Sequence, residues 1–215
     1  MGELYLVRHG QANSGAKTEE EYDRLSDLGH RQAQLLGTWM RDHEAPFDQV
    51  LAGSMRRHRE TAQGMGYTPD ITDPRLNEME YFALARDMLT EHGVNPPSTP
   101  EDFAAHMPQT LAAWEQATIK GGEPFATFEA RIMAALSEAA KPGKRVLCVT
   151  SGGVISMVMR VALGLSTDQM AHMLLPIYNS SLHKFRIRPE GTFLTAFNAI
   201  PHLDPPHLAD HRTNL

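Results

Sequence analysis

The chain has 215 residues, which suits one domain carrying an elaborated insertion better than two domains. Its net charge of −6 excludes a broad nucleic-acid footprint, so any anion site must be a local concentration of Arg and His. The single cysteine rules out an internal disulfide framework and a cysteine-based zinc cluster.

In chain order, Leu4-Tyr5-Leu6-Val7 is short, apolar and β-prone, and Gly10 ends it. A loop runs on through Lys17. Ser26 reads as an N-cap for a helix in which Leu28, Leu35, Leu36, Trp39 and Met40 recur at helical spacing, closed by Pro46. Gln49-Val50-Leu51-Ala52 is a second strand, and Gly53-Ser54 opens the next helix, to about Gly64. Roughly 75–122 differs in composition and turn spacing and predicts a helical insertion over the sheet, with Thr99 capping a helix that begins at Pro100. Phe125 to Ala140 is a helix ended by Pro142-Gly143, Arg145 to Val149 a buried strand containing Cys148 as a core residue, and Ser151-Gly152-Gly153 opens a helix to about Gly164. A short helix from Asp168 is capped by Ser166 or Thr167. Leu182–Ile187 and Phe193–Phe197 form a hairpin turning at Pro189-Glu190-Gly191. Met157, Met159, Met170 and Met173 fall at helical spacing and read as core. The pattern predicts an α/β fold: a three-layer sandwich with a mostly parallel central sheet flanked by helices, residues 1–215 forming a single domain and 75–122 covering the active-site edge.

Four pieces carry chemistry. Arg8-His9-Gly10 lies where a strand ends, the rim where ligands bind in open α/β sheets. A neutral imidazole there can attack phosphorus, Arg8 can fork onto phosphoryl oxygens, and Gly10 allows close backbone approach. Arg56, Arg57 and Arg59 enter a helix whose N-terminus favours anions. Glu78 or Glu80, after a proline-marked turn, can serve as a general acid. The backbone N–H groups after Thr150-Ser151 make a plausible anion nest that includes Gly152.

Together and in this order, these pieces resemble the histidine phosphatase superfamily, the phosphoglycerate-mutase-like group. Leu4–Gly10 is similar to its opening strand and Arg-His-Gly signature. Leu25-Ser26, Gly29, Gln32-Ala33 and Leu36-Gly37 fit its first helix, and Arg57 with Thr61-Ala62 fits an Arg-Ala-x-x-Thr-Ala segment in which His58 replaces alanine. Leu76-Asn77-Glu78, Gly122-Glu123 with Arg131, and Asn179-Ser180-Ser181 fit further segments. The short insertion and Gln11 resemble the small bacterial phosphatase branch.

The resemblance implies a phosphoric monoester hydrolase. His9 would be the nucleophile that becomes phosphohistidine, Arg8 and Arg57 would neutralise the phosphoryl oxygens, and Glu78 would be the acid and then the base. Ser151 and Gly152 would contact phosphate, while Gln11, Ser14 and His58 are candidate substrate contacts. No cofactor or metal is required, and the expected partner is a small phosphoester or inorganic phosphate, not nucleic acid or membrane. Cytoplasm is the default location, since the chain opens directly into a strand and contains no run of about 18 apolar residues. Nothing in the sequence sets an oligomeric state.

One departure stands out. The superfamily carries a second histidine where this chain has Ser151. A serine hydroxyl still donates a hydrogen bond but brings no charge, and losing one preorganised donor costs about 10²–10³ in rate. The expectation is a slow or narrow phosphatase in which restoring histidine at Ser151 raises turnover, with His58, His183 and Arg56 as candidate compensating groups. A phosphoester-binding protein without turnover and a mutase are the alternatives. A metal site among His202, His207 and His211 fits no ligand spacing, and the sequence reads there as a solvated tail.

Overall fold

The computed structural model describes residues 1–13, 15–16 and 18–214; the candidate contact Ser14 lies outside them. Leu4 to Val7 fall within strand β1 (Gly2–Arg8), which pairs in parallel with β4 (Arg145–Thr150), Leu6 opposite Cys148 and Arg8 opposite Thr150. Both strands sit inside the sheet, whose order is β3-β2-β4-β1-β5-β6. β2 (Gln49–Ala52) and β3 (Ile71–Thr72) extend the parallel half. β5 (Leu182–Arg188) and β6 (Gly191–Ala199) add an antiparallel hairpin on the other side. The sheet is therefore mixed, with four parallel strands flanked by helices.

Period-2 alternation divides the strand side chains between two cores. Tyr5, Val7, Val50, Ala52, Leu147 and Val149 face α2 (Asp27–His43), which follows the short helix α1 (Glu19–Tyr22), and α3 (Arg56–Gly64), packing with Ala33, Leu36, Met40, Ala62 and Met65. Leu4, Leu6, Leu51, Val146 and Cys148 face the larger core, which holds residues of α4 (Tyr81–His92), α5 (Pro100–Glu115), α6 (Phe125–Ala139), α7 (Gly152–Leu163) and α8 (Thr167–Leu174). Strands covered on both faces are continuously apolar, which is why β1 and β4 were legible. Met157, Met159 and Met170 are fully buried in this core, and burial pushes the Cys148 thiol up to about 12.

Local chemistry sets the helix ends. Ser26 Oγ accepts from Gly29 N, and Thr99 with Asp102 forms a capping box with Pro100 in the first turn. Ser166 caps α8 in the same way with Gln169, and Gly164, left-handed at φ 66°, ends α7.

The structure departs from the sequence reading in several places. α2 stops at His43, before Pro46, with Glu44 as its cap. α3 begins at Arg56, after Met55 in extended conformation (φ −63°, ψ 145°), and Ser54 N and Met55 N donate to Asn77 Oδ1. β3, two exposed residues long, is too short to show a period. The tail is solvated only in part: His207 is exposed, but His202 is buried against Ser180 Oγ (2.8 Å), and Gln32 Nε2 holds His211 O and Thr213 Oγ1.

Candidate active site

His9 follows β1 and is pinned from both sides. Its N–H donates to Thr150 O (2.8 Å), continuing the β1–β4 ladder, and its carbonyl accepts from Ser180 N (3.1 Å). Ser180 is held left-handed, at φ 57°. The His9 ring nitrogen Nδ1 lies 2.7 Å from Gly10 O. A carbonyl only accepts, so Nδ1 carries the hydrogen and Nε2 keeps its lone pair. Burial, then the charges of Arg57 and Arg8, then His58, hold the ring well below the usual histidine range. The imidazole is neutral at pH 7, the state that can attack phosphorus.

Gly10 passes so close to α2 that a Cβ would overlap Gly29 O. Its N–H donates to Thr61 Oγ1 (3.0 Å), and that hydroxyl donates to Arg57 O (2.7 Å), tying the loop after β1 to α3.

Arg57 is 1% exposed. Its Nη1 and its backbone N–H both donate to Asp23 Oδ1 at 3.1 Å, and its guanidinium lies 5.0 Å from the Tyr22 ring. Its Nε and Nη2 have no protein partner among the described residues. Arg8, also buried, donates from Nη1 to Ile177 O and to Asn214 O (2.8 Å), while its Nε has no partner among the described residues. Burial lowers the Arg8 pKa, while the neighbouring Tyr22 and Glu78 oppose that shift. Two buried guanidinium groups thus keep three donor nitrogens uncommitted among the described residues, beside a neutral imidazole. Buried donors of this kind are costly unless an acceptor meets them, and a tetrahedral oxyanion is the acceptor that fits.

The Glu78 carboxylate accepts from Gly153 N at 3.0 Å and from its neighbour Met79 N at 3.0 Å. A Cβ at Gly153 would overlap that carboxylate and Met79 Cε, so glycine there is what lets the acid reach the N-terminus of α7. The segment is held by Asn77 and by Thr150 Oγ1, which donates to Leu76 O (2.6 Å). Glu80, the other carboxylate considered, is exposed and lies against Gly122. Glu78 also lines a cavity of about 330 Å³ together with Met55, Asn77, Leu84, Trp114 and Glu123.

The remaining candidates divide. Gly152 sits beside Arg8, where a Cβ would come 3.6 Å from Nε. Ser151 is buried at the start of α7, and its Oγ lies 2.6 Å from His58 Nε2 instead of capping the helix. The His58 and His9 ring centroids are 5.8 Å apart. Gln11 is engaged locally, its amide oxygen accepting from Ser26 Oγ (2.7 Å) and its N–H donating to Gln32 Oε1 (2.8 Å). His183 faces Ser181 Oγ and Asn198 N, and Arg56 pairs with Glu60. Sequence reasoning missed Tyr22, Asp23 and Asn214. None of the three left a signal, because each meets its arginine from far along the chain.

The sequence profile of the histidine phosphatase superfamily (branch 1) matches residues 4–200. The chain belongs to that superfamily. The adenosylcobalamin/alpha-ribazole phosphatase of Salmonella typhi is 32% identical over 182 residues, covering 79% of this chain and 83% of that protein. A 2,3-bisphosphoglycerate-dependent phosphoglycerate mutase of Methylorubrum extorquens is 25% identical over 183 residues, with the same coverage of both chains. In fold, the chain matches a mutant phosphoserine phosphatase from Entamoeba histolytica in complex with phosphoserine, at a TM-score of 0.70 and 20% identity over 94% of this chain and all of that one. Histidine phosphatases related to this chain are thus phosphatases or mutases. No helix among the described residues is long and apolar enough to cross a membrane.

Proposed function

We propose that this histidine phosphatase hydrolyses a small phosphoric monoester through a phosphohistidine at His9. The observation that carries the reading is the neutral His9 ring, its Nδ1 fixed on Gly10 O, set among the uncommitted N–H donors of Arg8 and Arg57. His9 Nε2 attacks phosphorus as the P–O bond to the leaving alcohol breaks, and Glu78, entering protonated, gives that alcohol its proton. The guanidinium groups take the charge on the equatorial oxygens, with Gly152 and Ser151 beside them. Glu78, now ionised, takes a proton from water as the water oxygen attacks phosphorus, releasing phosphate and free His9.

The segment 75–122 supplies specificity in this reading. Its Leu84 and Trp114 share the cavity wall with Glu78, so a leaving group extending from the acid meets them. Hydrolysis is favoured over mutase activity because the more similar of the two enzymes compared above is a phosphatase.

A phosphoester panel including p-nitrophenyl phosphate, run beside His9→Ala, tests the reading. We expect hydrolysis that drops by at least about 10⁴-fold in the variant, with acid-labile phosphate trapped on the wild type alone. Equal activity in both proteins overturns it. Phosphoryl return to 3-phosphoglycerate in place of release to water would make the protein a mutase, and no labelling with any donor would make it a binder.

A further inference from the structure

His58 and Ser151 come from different elements, α3 and the start of α7, and both are fully buried. Their 2.6 Å contact is the only hydrogen bond either side chain makes among the described residues. His58 is packed so tightly against Gly53 that a Cβ there would overlap its Nδ1. Ser151 precedes Gly152, which lies beside Arg8, and follows Thr150, whose carbonyl holds His9. The pair therefore borders the ring that takes the phosphoryl group.

Hydrogen counting gives the pair a direction. A hydroxyl has one hydrogen and two lone pairs, and a neutral imidazole has one hydrogen. If Ser151 donated to Nε2, the His58 hydrogen would sit on Nδ1, facing Gly53 with no acceptor among the described residues. If His58 instead carries its hydrogen on Nε2, it donates to Ser151 Oγ, and the serine hydrogen is left over. Each arrangement leaves one hydrogen over, but a ring Nδ1–H is walled off by Gly53, whereas a hydroxyl hydrogen can rotate to meet a bound ligand. Burial and the charge of Arg57 hold His58 well below the usual histidine range, consistent with a neutral ring.

We propose that His58 and Ser151 form one donor unit of the phosphoryl pocket: His58 Nε2–H donates to Ser151 Oγ, and the serine hydroxyl so oriented donates to a phosphoryl oxygen at His9. Ser151 is the contacting group and His58 the positioning residue. The inference rests on phosphoryl transfer at His9, and it changes the meaning of the two departures read in the sequence. A bulky imidazole in place of alanine at 58 and a small hydroxyl in place of histidine at 151 are the two halves of one exchange. It also reverses an expectation. Ser151→His alone puts a second imidazole against the first in closed space, so it lowers turnover instead of raising it. The same substitution combined with His58→Ala makes room for the new ring.

The test is a double-mutant cycle on p-nitrophenyl phosphate, with inhibition by inorganic phosphate and Tm measured on every variant. His58→Ala and Ser151→Ala should each lower kcat/KM by about 10²-fold and weaken phosphate inhibition. The double variant should lose no more than about threefold beyond either single one, because both remove the same bond. The paired exchange should return kcat/KM to within about tenfold of wild type, and His58→Gln, which keeps size and an N–H donor, should retain part of the activity. Nitrogen NMR of wild type should show His58 protonated at Nε2. Losses that multiply, a Ser151→Ala variant with wild-type kinetics, effects confined to Tm, or an Nδ1-protonated His58 would each overturn the proposal. If instead wild type and His9→Ala hydrolyse equally, the phosphoryl-transfer reading fails. Phosphate binding to the wild type and to His58→Ala then still decides the donor unit, weaker binding in the variant supporting it and equal binding rejecting it.

Discussion

The phosphoryl end of the site and its leaving-group side are built on opposite principles. At the phosphoryl end, His9, Arg57, His58 and Ser151 are each at most 2% exposed, and the surrounding bonds tie Arg8 of β1 to the C-terminal tail, Gly10 to α3, and α3 to the start of α7. On the other side, Glu80 is exposed and Glu78 half-buried around a cavity whose walls come from the α3 entry and the segment bearing α4 and α5. The first arrangement fixes donors before substrate arrives, so it stabilises charge without reorganising. The second can vary without disturbing the first. In the proposed function, phosphoryl transfer belongs to the buried end and the choice of alcohol to the exposed one.

Substitutions should separate the two ends. Arg57→Ala removes the more deeply buried of the two guanidinium groups beside His9 and should lower kcat/KM about 10²–10³-fold for every phosphoester, with no change in their ranking. A loss that differs widely between substrates would place Arg57 in specificity instead. Glu78→Gln stands at the border. It should cost about 10²-fold on alkyl phosphates and much less on p-nitrophenyl phosphate, whose leaving group needs no proton. Equal losses on both would remove Glu78 as the acid.

The contrast also extends to pH. His9, His58, His183 and His202 are buried and held neutral, His183 at about 3 and His202 at about 4, chiefly by burial. Their folded values lie below the unfolded value of about 6.5, so the unfolded chain binds more protons as pH falls. The stability they contribute is complete above about pH 6.5 and drains away below it, at about 1.4 kcal/mol per pH unit for each histidine kept neutral. The other side carries such a group in His106, buried against Tyr81 Oη of α4 and with its pKa lowered by burial. Tm should therefore fall steeply from pH 6.5 to 5, with hydrogen-exchange protection lost at β1 and β5, where the other buried histidines gather, before α4. Protection lost first at α4 would contradict this. The smallest effect expected is at the rim, where Glu80→Gln should shift KM among phosphoesters by no more than about tenfold. A uniform loss in kcat would show that the rim is not independent.

How much of this was legible depended on sequence distance. Ser26, Thr99-Pro100 and Gly164 act within a few residues, so the chain alone revealed those helix ends. Arg8, His9 and Gly10 are adjacent, and a strand end is enough to place them at the rim. Tyr22 and Asp23 had no comparable signal, because their roles arise from contact with Arg57, more than thirty residues on. The tail reading was corrected in part for the same reason: Asn214 reaches Arg8 and Thr213 reaches Asn179 from the far end of the chain.

The order of residues alone determined that apolar strands alternate with capped helices, that an imidazole and arginines gather where strands end, and that the chain fits its superfamily. Only the folded packing decided which arginine edges stay free, which of two carboxylates meets α7, and that an imidazole from one helix leans on a hydroxyl at the start of another. Hydrogen-bond partners close to each other in the chain are dictated by local dihedrals and spacing. Partners brought together by burial, such as His58 and Ser151, exist only once the sheet has set the distance between their elements.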